Sequence, residues 1–287
     1  MTQSRALITP DRLPVRATRD AETYLKRQTF KVEQAAALAL LALYREAYRD
    51  LALNLNSGLS RTEAEARVNE RVNRLRREVL ALLGLSVGAA YVGGYYGKLW
   101  LLDMSTRPDV PVRVRTLIAT LDEQLREQVN VELDALSVDV RRVLVAGAVG
   151  GALLVRLRRA MGADSTRART RGNFNRVLVL TRTGVQSAVN VGSLISVREN
   201  GVLIDGTIHL TTLDERTCNI CAPLDGRFYP LDSTADLPPL HPNCRCTRIP
   251  RIRDDLLVEP YAPLRQTLAG WAQALGIVGA LASFLKP

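Results

Sequence analysis

The chain is poor in lysine, histidine, aromatic residues and cysteine, and these shortages restrict the fold classes and the core compositions that it can have. Four cysteines in 287 residues are too few for a scaffold that depends on disulfide bonds. Because aromatic residues make up only 5% of the chain, the core must consist mainly of leucine, valine and alanine, which favours helices. With 47% hydrophobic and 24% charged residues, the chain can form one large folded domain or two ordinary ones.

Lysine is scarce in a chain that is nevertheless strongly basic. Of its 39 lysine and arginine residues only four are lysines, and the formal net charge is +10. Arginine binds phosphate and carboxylate groups through its planar, bidentate guanidinium group, so a phosphate-rich or acidic partner is one explanation of the high arginine content. An arginine-rich composition with solvated helix faces is the other. The N-terminal segment contains arginines but no apolar core, so no signal peptide is expected.

Apolar residues recur every three or four positions through most of the first 200 residues, which predicts a helical body over residues 20–200. Residues 1–19 are expected to form an extended arm, because Pro10 and Pro14 disfavour a helix there. The predicted helices lie at about 20–55, from 61 onward after a capping box at 60–63, from 117 to 144 with continuation or restart to 159, and at about 167–200.

The pattern changes after residue 201, where β-branched residues alternate along a predicted strand at 207–212. Asp225-Gly226 is a strong tight-turn signal, and a closing strand is expected at 247–252. The predicted fold class is therefore α+β: mainly long α-helices, then a small β-containing module at 201–255. A terminal apolar helical tail is expected at 256–287, which includes 20 uncharged residues.

All four cysteines and one of the two histidines fall within 29 residues, a spacing that predicts a structural zinc site. Cys218 and Cys221 can share one tight turn, while Cys244 and Cys246 can project to one side of an extended segment. His241 is a fifth candidate for four positions. Four cysteines are slightly favoured over three cysteines plus the histidine, and disulfides or reduced thiols remain alternatives.

The other histidine, His209, lies in the predicted strand and is expected to be a packed or surface residue rather than a ligand. A closed zinc site would hold together a module that is too small to form its own core.

Three blocks in the C-terminal half, at 212–221, 224–227 and 238–246, resemble in order and spacing the phage Mu F-like minor head protein family. Upstream, Thr181-Arg182-Thr183 with Asn190 and Gly192 is similar to a helix of that family. Gly184 and Val189 depart from it, because the family has Glu and Tyr there. The resemblance covers about residues 170–252.

The resemblance implies a minor capsid or head-morphogenesis protein of a tailed bacteriophage, made in the host cytoplasm and located in the virion near the portal. The implied partners are the portal protein, the major capsid protein and packaged double-stranded DNA, with several copies in each virion. No catalytic activity comes with the motif, so an enzyme is not expected. Six arginines of the module are expected to face DNA or an acidic capsid surface: Arg216, Arg227, Arg245, Arg248, Arg251 and Arg253.

Two other functions compete with the structural one. Three uncharged stretches, at 79–97, 143–155 and 266–285, motivate a membrane-active ejection protein. Those at 79–97 and 266–285 are about long enough to span a bilayer. A metal-dependent nuclease or hydrolase using His241 is less expected, because clustered acids for a second metal, a Ser–His–Asp pattern and a P-loop are all missing.

Overall fold

The computed structural model describes residues 14–55, 58–101, 112–145, 150–162, 172–199, 201, 204–212 and 217–253. Within these residues, five α-helices precede a small three-stranded sheet, which confirms the predicted mainly helical α+β class. The helices are α1 (Pro14–Leu55), α2 (Arg61–Leu101), α3 (Val112–Val145), α4 (Gly150–Met161) and α5 (Asn173–Glu199). The strands are β1 (Ile204–Leu210), β2 (Phe228–Pro230) and β3 (Thr247–Ile252).

The largest difference from the predicted boundaries is at the start of α1. Helix α1 begins at Pro14, so the expected extended conformation is wrong for residues 14–19. Proline is tolerated in the first helical turn because its missing amide hydrogen would have no helical partner there. The predicted third helix corresponds to α3, which ends at Val145, and α4, which begins at Gly150. Residues 146–149 lie outside the described residues, so the choice between continuation and restart stays a prediction. Residues 1–13 and the predicted tail at 256–287 lie outside the described residues.

The chain divides into two compact units that do not follow its sequence order. Among the described residues, the first unit contains 14–32, 88–101, 112–118, 185–199 and the sheet. The second unit contains 33–55, 58–87, 119–145, 150–162 and 172–184. The division at 200 and the other predicted domain limits remain predictions.

The core of the second unit follows the predicted helical periodicity. On α2, the predicted apolar face is buried from Ala64 to Leu82, and on α3 Leu125, Val129 and Leu133 are buried at a spacing of four. Tyr44 of α1 is fully buried and meets the ring of Phe174 edge to face at 5.4 Å. Aromatic side chains are few, but this pair lies in the core, where edge-to-face geometry is favourable.

In the first unit, β1 is the central strand of a sheet with the order β2-β1-β3, and both pairings are antiparallel. Thr207 lies opposite Tyr229 on one side and Pro250 on the other, while His209 lies opposite Arg248. The predicted turn at Asp225-Gly226 connects toward β2, with Gly226 at a positive φ of 74°. In the chain, the first cysteine turn follows β1 and the second immediately precedes β3.

Candidate metal centre

Two tight turns position the five candidate ligands. In the first turn, the backbone amides of Cys221 and Ala222 both donate to the Cys218 carbonyl, at 3.2 and 3.0 Å. In the second, the Cys244 amide donates to the His241 carbonyl at 3.1 Å, and Asn243 adopts a positive φ of 59°. Asparagine tolerates this left-handed conformation better than most residues, so the sequence suits the turn.

The donor atoms gather into what we call the Cys/His cluster, composed of Cys218, Cys221, His241, Cys244 and Cys246. His241 Nε2 lies 3.2 Å from the sulfurs of both Cys218 and Cys221. The sulfurs of Cys221 and Cys244 are 3.9 Å apart. Two overlapping groups, Cys218–Cys221–His241 and Cys221–Cys244–Cys246, each have all donor atoms within 4.8 Å of one another. Cys221 belongs to both groups and is therefore the centre of the cluster.

These distances and donor types fit a metal ion that prefers sulfur and nitrogen. A tetrahedral zinc ion with zinc–sulfur bonds near 2.3 Å separates its sulfurs by about 3.8 Å, close to the Cys221–Cys244 separation. All four cysteines are free thiols, so the alternative of a disulfide between Cys218 and Cys244 or Cys246 is not found. Three of the four sulfur-bearing residues are buried, and the cluster could hold a metal ion.

The orientation of the His241 ring favours its use as a ligand. Its Nδ1 lies 2.9 Å from the Pro242 carbonyl oxygen, so an Nδ1–H group can donate there. The unprotonated Nε2 then presents its lone pair to the two sulfurs. Metal-binding histidines usually fix their tautomer through such a bond from the other ring nitrogen.

The local electrostatics divide the thiols into two kinds. The backbone amide of Cys221 is the main cause that lowers the pKa of Cys218, and a hydrogen bond from the Cys246 thiol lowers the pKa of Cys244 to about 5. Burial raises the pKa of Cys221 to about 12, and the hydrogen bond to Cys244 raises the pKa of Cys246. A bound divalent cation would favour thiolates at its ligands.

Helix α5 supports the second turn through two buried amide side chains. Gln186 and Asn190 donate to the Cys246 carbonyl, at 2.8 and 3.2 Å. The Asn190 side-chain oxygen also accepts hydrogen bonds from the Thr247 hydroxyl at 3.0 Å and the Arg248 amide at 3.3 Å. Sequence reasoning missed Gln186, which no motif marked, whereas Asn190 already formed part of the family resemblance.

Thr211 supports the first turn from the end of β1. Its hydroxyl donates to the Cys221 carbonyl at 2.9 Å, and its amide donates to the Asp225 carboxylate at 2.7 Å. The Cys246 sulfur lies 3.8 Å from the same hydroxyl oxygen. Thr211 thus links the two cysteine turns, a role that only the folded structure reveals.

The arginines expected to face a partner are not equivalent. Arg248 is only 3% exposed, lies over the Tyr229 ring at 3.8 Å and donates to the Ser233 carbonyl at 3.1 Å. The expectation that it presents its charge at the surface is therefore wrong, because the aromatic ring and the loop after β2 cover it. Burial lowers its pKa.

The remaining five arginines differ in exposure. Arg227 and Arg253 are exposed, whereas Arg245 and Arg251 are half-buried. Arg251 lies over the Phe228 ring at 5.0 Å and pairs with Asp205 at 3.4 Å. Arg216 lies outside the described residues. Contact between these arginines and a partner stays a prediction.

His209 is packed, as predicted, and does not belong to either metal-binding group. It is fully buried, and neither ring nitrogen has a hydrogen-bond partner among the described residues. Burial is the main cause that lowers its pKa, and the guanidinium of Arg248 lowers it further. Both effects favour the neutral form of the ring.

These features define a mainly helical protein whose small antiparallel sheet leads into a buried Cys/His cluster. Residues 134–249 match the model of the family described as phage Mu protein F like protein. The match confirms the predicted family for this segment, which includes the whole cluster. It supports a role in phage head morphogenesis, in the virion with other capsid components, and it favours a structural protein over an enzyme. No curated protein and no solved structure matches the chain significantly.

Proposed function

We propose that the protein is a minor capsid protein of a tailed bacteriophage, with a structural role in head assembly near the portal. The observation that carries the proposal is that the family-matched segment contains the entire Cys/His cluster. Its partners would be the portal protein, the major capsid protein and the packaged DNA. Quantitative mass spectrometry of purified virions would test this, together with cross-linking to neighbouring subunits. Absence from the virion, with normal heads formed when the protein is missing, would overturn the proposal.

The metal in this proposal is structural zinc, held by Cys218, Cys221, His241 and Cys244. His241 is included because its Nε2 approaches two sulfurs, and Cys244 because its sulfur lies at tetrahedral spacing from that of Cys221. Cys246 is placed outside the ligand set, beside Thr211. Four protein ligands leave no open position for a substrate, which argues against a nuclease or hydrolase using His241.

Metal content provides the test of the ligand set. The purified protein should contain one zinc per chain, and Cys244→Ser should lose most of it. Cys246→Ser is the matched control, because it removes a sulfur two residues away that the proposal leaves unligated. Equal zinc loss in both variants would contradict this ligand set, and retention of zinc by His241→Ala would restore the four-cysteine alternative.

The exposed arginines of the module would contact DNA or an acidic capsid surface. Arg227 and Arg253 support this part of the proposal, since both side chains reach solvent. Binding of double-stranded DNA should weaken steeply with salt, because each neutralised phosphate releases counterions. The double variant Arg227→Gln, Arg253→Gln should reduce the slope of log binding constant against log salt concentration by about two. Arg248→Gln is a poor probe, because that side chain is buried; a flat salt response would remove the DNA role.

A membrane-active ejection protein is the second candidate. Over Arg61–Tyr95, α2 is long and apolar enough to cross a membrane, although a core helix passes the same test. More than half of its most apolar window is buried within the protein, which favours the core role. Liposome flotation distinguishes the two: binding to vesicles that contain anionic lipid would support ejection, and failure to float would exclude it.

A further inference from the structure

Helix α3 has a second apolar stripe that the core does not use. Its buried side chains, Leu125 to Val140, occupy one face. Val131, Val138 and Val145 lie at intervals of seven residues on the opposite face, where they are 64%, 45% and 59% exposed. A seven-residue repeat keeps side chains aligned along a helix, as in a coiled-coil seam. Single exposed valines are ordinary on a protein surface. These three are aligned along the helix about 10 Å apart, with Ala135 and the charged Asp134 and Arg141 in the turns between them.

We propose that this outer stripe of α3 is a self-association surface that pairs antiparallel with the same stripe of a second copy. If the two-fold axis passes at Val138, Val131 of one copy lies opposite Val145 of the other. Such a contact is isologous and therefore closes as a dimer. The proposal does not depend on the proposed function, because it uses only the exposed face of one helix.

The charges beside the stripe determine the direction of pairing. Asp134 lies one turn before Val138, and Arg141 lies one turn after it on the same flank of the helix. In an antiparallel pair, Asp134 of each copy approaches Arg141 of the other on the same side of the seam. A parallel pair places these flanks on opposite sides of the seam and forms neither contact. Within one copy, Asp134 pairs with Arg76, and Arg141 bonds with Asn69. The Asp134 side chain is still 67% exposed, so it remains accessible to a second partner.

The stripe is short, which sets the expected strength of association. From Val131 to Val145 it spans about 21 Å of helix. One helix pair of this length buries less than the roughly 1,000 Å² of a stable complex, so the dimer should be weak and form at high local concentration. Sedimentation equilibrium from about 1 µM to about 1 mM protein covers the range in which such a dimer would form.

The matched variants are Val138→Asp and Val155→Asp. Val155 is a 59%-exposed valine on α4 and lies outside the stripe. Val138→Asp should weaken dimerisation at least about tenfold, since it places two carboxylates together on the axis. Val155→Asp should leave dimerisation unchanged. A wild-type protein that stays monomeric throughout, or equal effects of the two variants, overturns the proposal.

A charge swap tests the antiparallel geometry separately from folding. Asp134→Arg and Arg141→Asp should each weaken association, and the double variant should recover it. Circular dichroism should show unchanged helicity in all three, because both side chains are exposed. Recovery in the double variant supports the antiparallel pair. Additive weakening overturns it, and would leave the stripe to a different partner.

Discussion

A glycine on α2 offers a sharp test of how α5 is held within the first unit. A Cβ atom added at Gly94 would lie 2.2 Å from the carbonyl oxygen of Val189 on α5. Ordinary contact requires about 3.4 Å or more, so the two backbones would have to separate locally by about 1 Å. The obstacle is backbone rather than a flexible side chain, so a change of rotamer cannot relieve it.

The expected magnitude combines two opposing effects. Alanine is better than glycine in a helix interior by about 1 kcal/mol. Overpacking a close contact costs about 1–3 kcal/mol, and here it also strains the nearby approach of Gly192 to the Tyr91 carbonyl. Because the obstacle is backbone, the overpacking cost should lie at the upper end of this range, so we expect Gly94→Ala to lower the free energy of unfolding by about 2 kcal/mol in net. Gly93→Ala is the control, because its added Cβ meets nothing within 4 Å; it should raise stability by about 0.5–1 kcal/mol.

The assay is thermal and urea denaturation of both variants, followed by circular dichroism on metal-loaded protein. A difference of about 3 kcal/mol between them corresponds to roughly 6–12 °C in Tm for a chain of this size. If Gly94→Ala is as stable as Gly93→Ala, the close approach of α2 and α5 is refuted.

Three further predictions concern the sheet and the cluster. Asn190→Ala should lower the free energy of unfolding, measured in urea, by about 3 kcal/mol, because it removes hydrogen bonds to three groups: the Cys246 carbonyl, the Thr247 hydroxyl and the Arg248 amide. The control is Asn54→Ala at an exposed site, which should cost under about 0.5 kcal/mol. Chelation of the metal should lower Tm and make all four thiols reactive to a thiol reagent; unchanged values would contradict a structural metal. His209 has a lowered pKa in the folded state, so the unfolded chain binds more protons and wild-type stability should fall as pH drops below about 6.5. His209→Leu should lose that part of the fall in pH-dependent denaturation, and identical pH profiles would contradict a buried neutral imidazole.

Hydrophobic periodicity predicted much of the helical core because burial on a helix repeats with its turn. The buried face of α2 and the face of α3 from Leu125 to Leu133 were therefore visible in the sequence. The start of α1 at Pro14 was not, because proline disfavours helix interiors but is tolerated in a first turn. The burial of Arg248 was not predicted for a different reason, since only the fold places Tyr229 beneath its guanidinium.

The cysteine spacing predicted the cluster but could not choose among five ligands. Ligand choice depends on which atoms two separate turns bring together, and sequence spacing describes each turn alone. The Nδ1 contact of His241 with its neighbouring carbonyl is the local feature that now favours the imidazole. Gln186 was invisible for the same reason, since its partner lies 60 residues away.

The helix block and the cysteine block of the family resemblance form one physical unit. Asn190 binds the backbone around Cys246, and two residues later Gly192 allows the Tyr91 carbonyl of α2 to approach α5. The same turn of α5 therefore anchors the loop that carries Cys246 and packs against a neighbouring helix. A change at either position should disturb the other, so we expect Asn190→Ala and Gly192→Ala to be non-additive in a double-mutant cycle.

The two departures from the family pattern have local explanations in this structure. A Cβ at Gly184 would lie 2.5 Å from Leu125 Cδ2, so a glutamate there would require the leucine side chain to change its rotamer or to be replaced by a smaller one. Val189 is 6% exposed, and its carbonyl forms the close contact with Gly94, so a tyrosine would need more room at the same crossing. Gly184→Glu alone should therefore destabilise the protein, and Leu125→Ala should partly rescue it by opening space for the longer side chain, at the cost of its own cavity. If the double variant is no more stable than Gly184→Glu alone, the charge of glutamate rather than its volume causes the destabilisation at this buried position.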